Sequence, residues 1–509
     1  MDNIEFNRGT VMRAIKRLKN NTASGPDGMP PIMYKNLAQS LAEPLALIFE
    51  SFMSVGRIPD EWKRAIITPI YKSGLASDVS NYRPIALTCV ACKIMERVIV
   101  SDMLHFLREQ RLITKQQYGF IARRSTTLNL LDALNDWSLA INNKFSVAVA
   151  YIDYAKAFDT VSPPKLCHKL EAYGISGNLL SWIADLLCGR SQQTRVGSAL
   201  SDIKTLTSGV IQGSCLGPLL FVLYVNDVAN IFCDGIVCKM YADDIKLYSI
   251  VKTDDDSLLL QDALDKLQDW SHAWQLNISH KKCMVLELGS KNNLNCNYTL
   301  NDINISRASA CKDLGVIIDH KLSFSQHISV IVSRAHARAS LIHKCFLSRD
   351  RATLVRAFIT YVRPILEYAS SVWSPYHITD VRKIEAVQRR FTKRLPGLAA
   401  FNYSTRLAIL GLDSLELRRL RLDLVLAYKL IFGLVEAESS TLFVFRTDCV
   451  TRGHDYKLIA RNNRVNVRKW FFSQRLINVW NSLPISADCL ASLSCFKSFL
   501  AKTDLSEFL

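Results

Sequence analysis

The chain has 509 residues, 49% of them hydrophobic and 21% charged, which excludes a disordered chain and suits about two to four domains with real cores. Its net charge is +17, and the excess is concentrated: Lys321 to Arg475 holds 27 Lys+Arg against 11 Asp+Glu, whereas the remainder holds 36 against 35. A basic back half beside a neutral front half points to a polyanion partner held by one region.

Residues 3 to 20 read as a helix with Ile4, Val11, Ile15 and Leu18 as its apolar positions, followed by a turn-rich loop over Thr22–Pro31 and helical patterns to about Met53. Ala65 to Lys72 reads as a strand whose Pro69 implies an edge or a bulge. The polar loop Lys72–Ile85 follows, with Lys72 and Arg83 as its basic groups, then a helix from Cys92 to Leu107 and the basic, aromatic loop Tyr118–Ser125 containing Arg123 and Arg124. Phe145 to Ile152 is a buried strand that delivers Asp153 at its end, with a loop and helix over 154–173 that start near Phe158. Ser208–Pro218 is glycine-studded around Gln212 and Gly213, and Pro218 opens an apolar helix to about Ile231.

Lys239–Tyr248 alternates apolar and polar residues around Asp243-Asp244, the pattern of two strands joined by a tight turn. An amphipathic helix (256–275), a strand (Met284–Leu288) and a hairpin-like region to Asp319 follow. Beyond Gln326 the pattern is helical and basic. Ile328, Ile331, Ala335, Ile342 and Phe346 form one stripe. Val381, Ile384, Val387, Phe391 and Leu395 form another, flanked by Arg389, Arg390, Lys393 and Arg394.

The 14 cysteines form no framework, and the lone Cys89-x-x-Cys92 lies in an apolar stretch. Buried free thiols and a reducing intracellular compartment are expected. Leu216–Val225 is too short to span a bilayer and no signal peptide is visible, so no membrane role is expected. Arg389–Arg394 is a poor import signal, which leaves nucleus and cytoplasm both open.

Adjacent carboxylates repel, and a divalent cation relieves that repulsion. If the Asp153 strand pairs with the hairpin, Asp153, Asp243 and Asp244 can converge around two Mg²⁺ ions, the arrangement that clamps both oxygens of an in-line phosphoryl transfer. Lys72 and Arg83 could then hold phosphates. The glycines around Gln212 would let backbone approach a nucleotide.

In this order the motifs Ala23–Gly28, Ile70–Gly74 with Asn81–Ile85, Gln117–Phe120, Tyr151–Val161, Ser208–Pro218, Tyr241–Asp244, Lys282-Cys283 and Asp313–Val316 resemble those of the reverse transcriptases of non-LTR (LINE-type, jockey- or CR1-like) retrotransposons. Phe471–Pro484 resembles a C-terminal segment of the same elements. The resemblance implies an α+β right-hand polymerase: N-terminal extension and fingers over 1–145, palm over 146–319, a basic helical thumb over 320–400 and a helical C-terminal region over 401–509. It also implies an RNA template, a DNA primer or target, dNTPs, and two Mg²⁺ ions with Mn²⁺ as a substitute.

Residue by residue, the resemblance makes Asp153 and Asp243 the main metal ligands, with Asp244 beside them and the Tyr154 carbonyl helping. Phe158 would exclude a 2′-hydroxyl, and Gln212 would contact the nucleotide or template. Lys282 would protonate the pyrophosphate, with Lys281 an alternative because the preceding segment is about one residue longer than usual. Leu314 and Gly315 would grip the primer end, and Arg123, Arg124, Arg389, Arg390, Lys393 and Arg394 are expected to contact nucleic acid. No endonuclease, cysteine–histidine knuckle or ribonuclease H pattern is visible. The expectation is therefore a fragment or truncated copy using pre-existing nicks or an endonuclease from another chain. An RNA-copying RNA polymerase and an inactive, RNA-binding copy are the competing readings.

Overall fold

The computed structural model describes residues 1–253, 255–289, 297–437, 439–446 and 456–509. Residues 290–296 of the hairpin-like region therefore lie outside the described residues. The strands used below are, in chain order, β1 (Arg64–Tyr71), β2 (Tyr82–Leu87), β3 (Ser146–Ile152), β4 (Ser191–Val196), β5 (Ile236–Tyr241), β6 (Asp244–Val251), β7 (Met284–Leu288), β8 (Ser306–Ala308), β9 (Ala310–Asp313) and β10 (Val316–Asp319).

The central sheet has the order β8-β7-β3-β6-β5. β3 is flanked on both sides, antiparallel to β6 and β7, which explains its nearly continuous apolar sequence. Its pleat divides two cores. Ala148, Ala150 and Ile152 face helices that lie before residue 110 and after the strand in sequence, together with Phe49, Met103, Leu170 and Phe221. Val147 and Val149 face the other way, onto helix Thr126–Asn142, the basic helices and the C-terminal helices, with Trp137, Phe358, Trp480 and Phe496. This alternation is the period-two signature of a strand.

A second sheet is built on β1, antiparallel to β2 and parallel to β4. Pro69 sits opposite Pro84, past Ile67 where the β4 pairing ends. The half of β1 carrying Pro69 thus has one neighbour, and the missing N–H costs no ladder bond.

The first helix is shorter than its pattern suggests, running Arg8–Lys16, because Asn7 and Thr10 form a capping box. Ile4 and Leu18 are buried all the same, as chain on either side of it. The helix opened by Pro218 runs Gly217–Val225 and continues as a 3-10 turn to Asn230. The basic stripes fold as helices Ser325–Cys345 and Ile378–Lys393. Ile328, Ile331, Ala335, Ile342, Ile384, Val387 and Phe391 are buried, whereas Arg389, Arg390, Lys393 and Arg394 are exposed. The helices after residue 400 share this core rather than forming one of their own. Cys89 and Cys92 are buried free thiols, and no described helix is long and apolar enough to cross a membrane.

β6 is tied to β9 by a buried ion pair, Lys246 Nζ to Asp313 Oδ2 at 2.6 Å, with side chains 4% and 6% exposed. Lys246→Met strands the Asp313 charge in the interior. It should destabilise the fold by about 3–5 kcal/mol in urea unfolding; a change below about 1 kcal/mol would show that water reaches the pair.

Candidate active site

β3 ends at Ile152 opposite Ile245, so Asp153 emerges beside the start of β6. Tyr241 pairs with Asp244 across a two-residue turn, Ala242-Asp243. The sequence pattern therefore places the acids where a hairpin needs its loop. Ala242 takes a φ of +57°, unusual for a residue with a Cβ.

Asp243 ends the turn and Asp244 opens β6, so the two acids stand in different surroundings. At Asp243 burial and the Asp153 charge push the carboxyl up, while Arg83 and Lys72 of the β1–β2 hairpin pull it down. Asp244 lines a cleft with Asp153, Lys282, Asp313 and Leu314. Enclosure, then the charges of Asp243, Asp313 and Asp153, push its carboxyl up to about 6. The residue as a whole is exposed, so the crowd of like charges is the firmer of these causes.

The convergence of all three acids expected from the sequence is only partly met. Among the described residues no three His, Cys, Asp or Glu are close enough to hold one ion as they stand. The donor set nevertheless suits a hard divalent cation: crowded carboxylate oxygens whose repulsion is offset only in part, by Lys282 on Asp153 and by the charges of Lys72 and Arg83 on Asp243.

Asp153 is fixed by residues 277–279. Ser279 N–H donates to its carbonyl at 2.8 Å and Ala155 N–H to Asn277 O at 2.8 Å. Tyr154, buried, bridges to Ile278. The same segment turns back at Ser279 and brings Lys282 Nζ to Asp153 Oδ1 at 3.0 Å. Of the two neighbouring lysines, Lys282 is therefore the one that reaches the acids.

Phe158 is half-buried, stacked on Phe221 with ring centroids 4.2 Å apart and edge-on to the exposed Phe120 at 6.3 Å. Its neighbour Asp159 accepts from Gln212 Nε2 at 2.8 Å. The Gln212 carbonyl accepts the Ala86 N–H at 2.7 Å, and a Cβ on Gly213 would stand 2.5 Å from the Ala86 carbonyl oxygen. Gly213 thus lets this loop lie flat on β2. Buried Glu96 accepts the Leu216 N–H at 3.0 Å and fixes the start of the apolar helix.

Leu314 and Gly315 form the two-residue turn between β9 and β10, both with positive φ. The Tyr368 hydroxyl donates to the Leu314 carbonyl at 2.8 Å, and its ring leaves 3.1 Å for a Cβ on Gly315. The two arginines of the 118–125 loop are engaged by the protein. Arg123 donates to the Gly433 carbonyl. Arg124 donates to the carbonyls of Thr114 and Gln117 at 2.8 and 2.6 Å and to Glu436 Oε2 at 2.9 Å. Arg389, Arg390, Lys393 and Arg394 stand apart from the acids on the exposed side of their helix, with Arg389 over the Tyr403 ring at 5.0 Å. Glu96 and Tyr368 carry no signal in the sequence, whereas Phe120 ends the Gln117–Phe120 motif and lies in the aromatic, basic loop.

A central, mainly antiparallel sheet with an acid at the end of its middle strand and two more at the adjoining hairpin turn, together with a second sheet and basic helices, is the arrangement of a right-hand polymerase fold. Residues 70–318 match the family "Reverse transcriptase (RNA-dependent DNA polymerase)". The chain is 30% identical over 402 residues to the "RNA-directed DNA polymerase from mobile element jockey" of Drosophila melanogaster, an alignment covering 76% of this chain and 43% of the relative. From the same organism, it is 28% identical to the probable polymerase of transposon BS (75% of this chain, 43% of the relative). It is 25% identical to that of the transposon X-element (78% and 44%). Residues 70–318 are thus a reverse transcriptase domain of the non-LTR retrotransposon kind, in a chain that spans less than half the length of these relatives. Enzymes of this family generally use divalent metal ions, nucleotides, and a template with a primer.

Proposed function

We propose that the chain is an RNA-directed DNA polymerase that extends a DNA primer on an RNA template, at a nick in the target. The observation that carries this reading is the pairing of β3 with β6, which brings Asp153 beside the Asp243–Asp244 turn, with the charges of Lys72 and Arg83 of the β1–β2 hairpin felt at Asp243. Carboxylates that can hold cations beside cations that can hold a triphosphate are what nucleotidyl transfer requires.

Asp153, Asp243 and the Tyr154 carbonyl would hold two Mg²⁺ ions, or Mn²⁺ in their place, with Asp244 nearby. Bound there, the ions supply the positive charge that makes a primer hydroxyl nucleophilic and offsets charge on the leaving phosphates. Lys72 and Arg83 bind the β- and γ-phosphates, Arg83 by its forked donors. Phe158 lies under the sugar, and Gln212 and Gly213 border the nucleotide. Lys282 donates a proton toward the leaving pyrophosphate. Leu314 and Gly315 support the primer end, and Arg123 and Arg124 brace the loop beside the turn. The fingers, palm, thumb and C-terminal region fall at 1–145, 146–319, 320–400 and 401–509. The nick comes from an endonuclease on another chain, and work on chromosomal DNA requires nuclear access.

A copy that only binds RNA would leave these acids and facing cations without a use. Supplying dNTPs and rNTPs separately over one RNA template tests the reading: incorporation of dNTPs supports it, and incorporation of rNTPs alone would make the chain an RNA polymerase.

Arg389, Arg390, Lys393 and Arg394 should set template affinity rather than chemistry. Each phosphate contact they make adds about 0.7–0.9 to the slope of log affinity against log salt. Changing all four to Glu should flatten that slope, measured by filter binding at several salt concentrations. An unchanged slope would make them a solvated face.

A further inference from the structure

We infer that Gln117 is a positioning residue for the Tyr241–Asp244 turn, its single amide oxygen setting where the turn's carboxylates stand; the inference rests on the polymerase reading above. Gln117 is fully buried. Its Oε1 accepts the N–H of Ala242 at 2.8 Å and that of Gly119 at 2.7 Å. Ala242 is the turn residue at positive φ, a conformation that persists where the surroundings over-determine it. Its buried N–H needs an acceptor, and Gln117 supplies it.

The rest of the loop holds that amide in register. The Met240 N–H donates to Gln116 O at 2.9 Å, and the Tyr118 N–H donates to Met240 O at 2.8 Å. The 116–118 segment therefore lies against the last residues of β5. At Gly119 a Cβ would stand 2.4 Å from the Ala242 nitrogen, so only glycine lets the loop backbone touch the turn. On the outer side, the Arg124 bond to the Gln117 carbonyl and its ion pair with Glu436 tie the loop to the C-terminal region. The path from Glu436 through Arg124 and Gln117 to Ala242 is continuous. It gives residues beyond 400 a purchase on the active site that no contact with substrate would require.

The test uses the full chain, with Mn²⁺ alone as a probe read from the EPR signal of the free ion, and primer extension alongside. Gln117→Leu keeps the bulk and removes the acceptor. It should weaken Mn²⁺ binding by about tenfold, as loss of a group supporting a metal ligand does. It should also lower kcat by about tenfold to a hundredfold with little change in KM for dTTP, as a misplaced reacting group does. Gln117→Glu, which keeps an acceptor oxygen, should recover most of both; a merely structural role would instead lower activity in step with melting temperature. Should Gln117→Leu fail to fold, Gln117→Asn, whose amide is drawn back by one methylene, must show the same losses. Parent-like Mn²⁺ affinity and kcat in the folded variant overturn the inference, as does a parent chain that binds no Mn²⁺. A parent that binds Mn²⁺ in a Gln117-dependent way but extends no primer would leave the inference standing and remove the polymerase reading.

Discussion

Asp153→Asn or Asp243→Asn should lower primer extension by about a thousandfold or more while leaving the fold intact. Each change removes one negative charge from a site whose proposed task is to hold cations, a contribution worth several kcal/mol in the transition state. Neither side chain carries packing: Asp153 is half-exposed beside Lys282, and Asp243 sits in a turn held by the β5–β6 ladder and by the Ala242 N–H bond to Gln117. For Asp243 the change also relieves repulsion from Asp153, so the melting temperature should hold or rise. Asp244→Asn should cost less, because Asp244 faces Asp313 and Lys246. Near-normal extension by Asp153→Asn, with circular dichroism and melting temperature unchanged, would remove these acids from the chemistry.

Phe158→Val should admit ribonucleotides. The ring is anchored on one face by Phe221 and meets Phe120 at its edge, the one buried and the other 53% exposed. It thus stands at the border between core and cleft, held rigidly enough to refuse an added hydroxyl. Steric refusal by an anchored ring should exceed the roughly 10–200-fold that a pocket gains from one methylene. The ratio of rNTP to dNTP incorporation should therefore rise by more than about a hundredfold, with much of the dNTP activity kept. If Phe158 only fills space against Phe221, both activities fall together and Phe158→Ala loses about 3–5 kcal/mol of stability. Measuring the ratio beside the melting temperature separates the outcomes, and an unchanged ratio takes Phe158 out of the site.

Local pattern carried much of this molecule. The alternation around Asp243-Asp244 produced the β5–β6 hairpin, and the apolar run before Asp153 became the middle strand with a neighbour on each side. The apolar stripes of the basic helices became buried faces because a 3.6-residue period is legible without knowing the partner. What stayed hidden depends on partners distant in sequence. A buried glutamine in a loop gives no periodic signal, so the bond from Gln117 to Ala242 was invisible. Arg124 reads in the sequence as a nucleic-acid contact, because its partner Glu436 lies 312 residues away. The boundary at residue 400 comes from the resemblance, and the core shared by Phe358, Trp480 and Phe496 runs across it.

The central claim is that these acids and cations copy RNA into DNA. It is tested most directly by incubating the purified chain with an oligo(dT) primer on poly(rA), dTTP and Mg²⁺, and resolving the product by length. The expected result is a ladder of extended DNA that disappears with EDTA and with Asp153→Asn. A folded chain that binds the primed template yet leaves the primer at its starting length, with Mg²⁺ or Mn²⁺, would contradict it.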